Sequence, residues 1–85
     1  MLITFETRSS DSLTIPANTS ISTTFDATKY GYTPIGIIGI STTRSTMDII
    51  EYYISSTNVA CTVRNLESRA LEGVFVRTRI LYKSN

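Results

Sequence analysis

Apolar and polar residues alternate with a period of two along most of the chain. Val59, Cys61 and Val63 alternate with Ala60, Thr62 and Arg64. Near the C-terminus Val74, Val76, Thr78, Ile80 and Tyr82 share one parity, while Phe75, Arg77, Arg79, Leu81 and Lys83 share the other. Successive side chains of an extended strand point to opposite faces, so both stretches predict half-buried strands, the second a long terminal one. Leu2 to Thr7 alternates more weakly and predicts a first strand at an edge, followed by a polar turn at Ser9-Ser10-Asp11. Leu13 and Ile15 point one way before Pro16-Ala17-Asn18 breaks the run, and Ile21, Thr23 and Phe25 resume the alternation. Loop residues from Asp26 to Gly31 lead into Tyr32–Ile40, where apolar residues occupy both parities, as a strand covered on both faces requires.

Two segments are less plain. Met47, Ile50 and Ile54 fit one helical face, and Ser45 with Asp48 has the spacing of a capping box. The same segment, Asp48 to Ile54, is dominated by β-branched and aromatic residues, which lose side-chain freedom in a helix and pack well on a pleated surface; a strand is therefore predicted. Asn65 to Gly73 predicts a turn or one short helical piece. Six or seven short strands, polar turns and no helical crossover together predict an all-β fold, a small antiparallel β-sandwich of jelly-roll-like arrangement. Residues 1–85 form one domain, with no linker or internal repeat.

Composition narrows the chemistry. A chain of 85 residues buries only about 60–65% of its unfolded surface, so disulfides, a metal or neighbouring chains commonly reinforce it. One cysteine, Cys61, rules out an intrachain disulfide, and the absence of histidine removes the usual Cys/His zinc sites and the Ser-His-Asp and Cys-His catalytic arrangements. Oligomerisation is the remaining support, and a homo-oligomer is expected. Cys61 shares the apolar parity of Val59 and Val63 and reads as a core residue. Eight basic against seven acidic residues give a net charge of +1, which argues against a nucleic-acid partner. The N-terminus lacks the pattern of a secretory signal, and the longest apolar run, Ile35–Ile40, is far short of a membrane span, so no membrane insertion is expected. Gly36 and Gly39 in an apolar strand indicate a bulge or close backbone packing and not a phosphate loop. Asp48, Glu51, Glu67 and Glu72 read as solvated surface carboxylates paired with arginines, and Asn18-Thr19-Ser20, although a glycosylation sequon, as an ordinary turn. No catalytic residue, metal site or cofactor is expected.

Leu13-Thr14-Ile15-Pro16-Ala17-Asn18, Gly31-Tyr32-Thr33-Pro34-Ile35-Gly36-Ile37-Ile38-Gly39, Val63-Arg64-Asn65 and Arg79-Ile80-Leu81-Tyr82-Lys83 follow one another in an order that resembles the C-terminal β-domains of tail-fibre and related attachment proteins in phages and prophages of Gram-positive bacteria. The resemblance covers roughly residues 13 to 83. It implies a β-sandwich head, often trimeric, made in the host cytoplasm and displayed on the virion surface, on a tail or fibre, beside other virion proteins. The family's fibrous shaft has no counterpart in this sequence, which leaves an excised domain and a free-standing virion protein both open.

Two groups of residues are candidates for binding. Arg77, Arg79 and Lys83 share a parity on the last strand, and Arg64 occupies the polar face of its own; a basic stripe of this kind suits anionic cell-wall polymers, while a solvated face with acidic partners is the plainer account. Tyr30 and Tyr32 flank a glycine in a loop, where aromatic rings can stack on sugars, although Tyr32 equally suits the start of a core strand. Three functions follow as expectations: a virion attachment domain contacting a cell-surface glycan or protein, a structural virion protein that decorates or trimerises, and a non-viral carbohydrate-binding module.

Overall fold

Eight strands and no helix make up the fold in a computed structural model that describes residues 1–85. They are β1 (Ile3–Ser9), β2 (Leu13–Ile15), β3 (Ser20–Asp26), β4 (Tyr32–Thr42), β5 (Met47–Ser55), β6 (Asn58–Asn65), β7 (Leu71–Val74) and β8 (Val76–Ser84). All pairings are antiparallel: β1 with β8, β2 with β7 and β3 with β6, a nested order like a long hairpin rolled on itself. β4 adds to the free side of β8 and β5 to the free side of β6. Two three-stranded sheets result, β1-β8-β4 and β3-β6-β5, with the short β2-β7 ribbon between them at one end. The antiparallel sandwich expected from the alternation is thus observed, drawn out to 48 × 18 × 18 Å.

The sheets bury their alternate residues against each other. At one end Ile80 and Tyr82 of β8 pack with Val59 of β6 and with Ala27, flanked by Phe25, Tyr32, Ile37 and Ile54. At the other end Cys61 and Val63 of β6 join Val76, Met47 and the apolar side of the ribbon, Ile15, Leu71 and Val74. Burying one such aliphatic side chain contributes about 1.5–3 kcal/mol, so the central strands β6 and β8 carry much of the stability.

Three sequence expectations need correction. Tyr32–Ile40 is not covered on both faces: β4 is an edge strand, and Ile35 and Ile38 are exposed. Its mixed parity arises because the register against β8 shifts between Pro34 and Gly36 and again between Ile37 and Gly39, so each shift inserts one extra isoleucine. Of the turn or short helical piece expected over Asn65–Gly73, the structure has the turn, a bend at 67–69, and Leu71 then opens a strand, β7, that sequence did not predict. The ribbon accommodates three residue steps on β7 against two on β2, and Gly73, at φ 66°, takes the left-handed conformation that such an insertion favours. The long terminal strand expected from Val74 onward is divided: Val74 ends β7 and pairs with Leu13 of β2, Phe75 lies between strands, and β8 begins at Val76. Met47–Ser55 is a strand, as its β-branched residues predict.

Every buried side-chain nitrogen and oxygen has a hydrogen-bond partner. The Tyr82 hydroxyl donates to the Ala27 carbonyl at 2.7 Å, tying β8 to the end of β3. Ser10 Oγ accepts from the Val76 amide at 2.9 Å, and Thr78 Oγ1 donates to the Arg8 carbonyl at 3.0 Å. Asn65, fully buried, bonds to four backbone groups at the ribbon end. Cys61 is 3% exposed in the apolar cluster, and burial pushes its thiol pKa up. Cys61→Ser should therefore lower stability by about 1–3 kcal/mol through a hydroxyl placed in an apolar site. The native thiol should also resist thiol reagents until the protein unfolds, and rapid labelling under native conditions would contradict its placement.

Candidate functional site

The outward face of the β1-β8-β4 sheet is a grid set by register. Its rows are Ile3–Lys83–Thr33, Phe5–Leu81–Gly36, Thr7–Arg79–Gly39 and Ser9–Arg77–Ser41. Parity alone aims Arg77, Arg79 and Lys83 away from the core, because Val76, Thr78, Ile80 and Tyr82 between them are buried. No acidic residue stands in these rows, and none of the three cations belongs to an ion pair, which elsewhere join Arg8 and Lys29 to Glu6 and Arg69 to Glu67. Arg77 and Arg79 lie two residues apart on one strand, about 7 Å along the chain. Phe5 is half exposed, and the Arg79 guanidinium sits 4.1 Å from the centre of its ring, a contact that orders the arginine without neutralising it. Gly39 of β4, paired with Arg79, contributes no side chain of its own. A furrow of about 330 Å³ runs there, lined among others by Thr7, Gly39, Ser41, Arg77 and Arg79.

Arg64 does not join this stripe. It lies on β6, in the facing sheet, opposite Asp48 of β5 and Ser20 of β3, and its guanidinium reaches Ser20 Oγ at 3.4 Å. The arginines read from sequence as one stripe therefore stand on opposite outer faces of the sandwich. The two tyrosines also part. Tyr30 is fully exposed in the β3–β4 loop, while Tyr32 is half buried against the core with Lys29 Nζ 5.0 Å from its ring centre.

Sequence reasoning missed a second depression, on the outward face of the β3-β6-β5 sheet. It measures about 250 Å³, and Ser22, Thr24, Glu51, Tyr53, Ala60 and Thr62 line it. Each of these residues is unremarkable in its own strand; their convergence requires the three-strand register.

Of the four carboxylates expected to pair with arginines only Glu67 does so, with Arg69, while Asp48, Glu51 and Glu72 join no ion pair. Glu6, Asp26 and Glu67 are the carboxylates tied into the surface. Hydrogen bonds from Lys29 and then Arg8 hold Glu6 below the usual carboxylate range; Thr28 does the same for Asp26, and Thr46 with Arg69 for Glu67. A group with a folded pKa below its unfolded value stabilises the fold above the unfolded value and loses that contribution as pH falls through the folded one. Burial raises Cys61 and Tyr82, whose contribution is present below their unfolded pKa values and lost as pH rises through the folded ones. With no histidine to titrate between, thermal stability should be flat from about pH 5 to 8 and fall on both sides. A thermal-melt series across pH checks this, and a step near pH 6.5 would contradict it.

No group of three or more Cys, Asp or Glu side chains is placed to hold a metal ion. No helix is long and apolar enough to cross a membrane. Comparison with protein families, curated proteins and solved structures finds no match for this chain.

Proposed function

We propose that this chain is a non-catalytic attachment domain of a virion, which contacts an anionic polymer of the host cell surface through the outward face of the β1-β8-β4 sheet. The observation that carries the reading is the pair Arg77 and Arg79, side by side on one strand with no carboxylate in their grid. Like charges about 7 Å apart repel, and within the chain only the Arg79–Phe5 contact offsets this. A bound anion relieves the repulsion. Hydroxyls from Thr7, Ser9 and Ser41 stand in the same rows as further donors, and the furrow beside Gly39 keeps the guanidinium groups accessible to an extended chain. The about 7 Å step between the arginines suits a polymer with closely repeated phosphodiester or carboxylate groups. The virion setting follows the resemblance of the GYTPIGIIG stretch and the closing RILYK strand to tail-fibre heads.

The test is retention of the protein on poly(glycerol phosphate) and on polygalacturonate, with dextran as the neutral control. Retention on either polyanion, released by salt, and none on dextran is expected. Retention on none of the three overturns the proposal.

A second reading is favoured by the apolar residues on and beside the same face. Ile3, Phe5, Ile35 and Ile38 are each about half exposed. They suit a structural virion protein in which this face packs on another copy, in a trimer, or on a neighbouring virion protein. Total area does not demand it: the single chain exposes 5025 Å², the surface expected of a folded monomer of 9.4 kDa. Sedimentation separates the readings, since assembly through this face gives an oligomer that Phe5→Ser dissociates, while the attachment reading requires the arginines whatever the oligomeric state.

A further inference from the structure

The depression on the opposite sheet has the chemistry of a sugar site. Register places two rows across it, Ser22–Thr62–Glu51 and Thr24–Ala60–Tyr53. With strands about 4.8 Å apart and successive outward residues about 7 Å apart, the six positions span an area about 10 Å wide and one residue pair deep, enough for a single ring. Ala60 forms a low floor, 7% exposed, between the larger Thr24 and Tyr53. Tyr53 is half exposed and offers an aromatic surface at the edge of the hollow. Glu51, beside it, takes part in no ion pair and accepts no hydrogen bond from a neighbouring cation, so both of its carboxylate oxygens remain available as acceptors. Ser22 Oγ and Thr62 Oγ1 share a hydrogen bond at 2.9 Å, which leaves each hydroxyl with unused capacity.

An aromatic surface, a free carboxylate and a row of hydroxyls around a small floor complement a ligand with one apolar C–H face and a rim of hydroxyls. We propose that this depression binds one neutral hexopyranose unit, stacked on Tyr53, with vicinal hydroxyls donating to Glu51 and the remaining rim bonded to Ser22, Thr24 and Thr62. Glu51 sets the charge preference. No cation lies in either row, so an anionic sugar meets an uncompensated carboxylate, and the nearest arginine, Arg64, stands one row away opposite Asp48. The hollow is shallow and open, so binding of one free sugar is weak, in the millimolar range, and depends on repetition of the unit along a glycan or of the domain in an assembly. The site is independent of the cationic face, from which it is separated by the whole thickness of the sandwich.

The experiment is a backbone-amide NMR titration of the intact chain with the methyl glycosides of glucose, galactose and mannose and with N-acetylglucosamine, at low and at high salt. Saturable shifts are expected for at least one of these sugars at Ser22, Thr24, Glu51, Tyr53, Ala60 and Thr62, unchanged by salt. Tyr53→Ala and Glu51→Ala should each weaken that binding at least about tenfold. Ala60→Leu should abolish it by filling the floor, with Cys61 still protected from thiol reagents to show that the fold is retained. Absence of saturable shifts with all four sugars, shifts confined to other parts of the surface, or undiminished binding by Tyr53→Ala in a folded variant would each overturn the assignment. None of these outcomes bears on polyanion retention by the other face, so the two failures are distinguishable.

Discussion

Asn65→Ala should destabilise the domain by about 3 kcal/mol or more, enough to lower its Tm by more than about 10 °C. The side chain is fully buried where β6 ends, and its Nδ2 lies 3.1 Å from the Ile15 carbonyl, 3.2 Å from that of Pro16 and 2.8 Å from that of Arg69. Two hydrogens serve three acceptors, so one of these bonds is shared. Oδ1 accepts from the Glu67 amide at 2.9 Å, closing the bend that starts the path to β7. One residue thereby joins the end of β2, the turn into β3 and the β6–β7 connection. An alanine leaves several backbone groups without a partner at a site that closes one end of the sandwich, and each such buried group costs about 1–3 kcal/mol. A domain of this size has about 4–13 kcal/mol of total stability, so the loss is a large part of it. Asn65→Asp should do comparable damage at neutral pH, because it turns a carboxylate towards three carbonyl oxygens. Denaturant unfolding of the three proteins measures both effects. A loss below about 1 kcal/mol for Asn65→Ala would show that the network contributes little.

Replacing Arg77 and Arg79 together by alanine should have the opposite signature. Binding to a polyanion should fall at least about tenfold, the equivalent of 1.4 kcal/mol, while the fold is barely affected. The stability cost is confined to the Arg79–Phe5 contact, about 0.5–1 kcal/mol at an exposed site, and removal of two adjacent like charges offsets part of it. Salt should mimic the substitution in the wild type, because screening shortens from about 10 Å at 0.1 M to about 3 Å at 1 M ionic strength. Arg64→Ala is the internal control: it removes the same charge from the opposite face and should leave polyanion binding within about twofold of wild type.

Strand parity was legible where one face is buried and the register is regular. Val59–Val63 and Val76–Tyr82 report their buried sides directly, and Met47–Ile54 declares itself by β-branching despite a spacing that also fits a helix. Parity ceased to help where the ladder takes extra residues. Ile35 and Ile38 are such residues in β4, so an edge strand carries the same composition as one covered on both faces. β7 escaped notice because its two buried residues, Leu71 and Val74, sit three apart around the left-handed Gly73.

The candidate sites were less legible, for a related reason. Alternation distinguishes inward from outward but does not say which sheet a strand joins, so Arg64 and Arg77 could be read as neighbours although β6 and β8 lie in facing sheets. Tyr53 and Glu51 carry no signal until β3 and β6 are set beside β5. Asn65 had a local clue, an asparagine at the end of a clean strand whose side chain caps the amide two residues on, a common device for starting a turn. Its longer reach to Ile15 and Pro16 depends on the ribbon that the nested pairing creates.

The central claim, that the outward face of the β1-β8-β4 sheet is an anion-binding surface, is tested most directly by mapping where a polyanion touches the chain. Backbone-amide and arginine side-chain NMR shifts should be followed during titration with poly(glycerol phosphate) at about 0.05 M and 1 M salt, conditions that differ severalfold in screening length. The account predicts saturable shifts centred on Thr7, Gly39, Ser41, Arg77 and Arg79 at low salt, lost at high salt and lost in the double arginine variant. Shifts centred on the Tyr30 loop or on the β3-β6-β5 face, or binding that survives both high salt and removal of the two arginines, would contradict it.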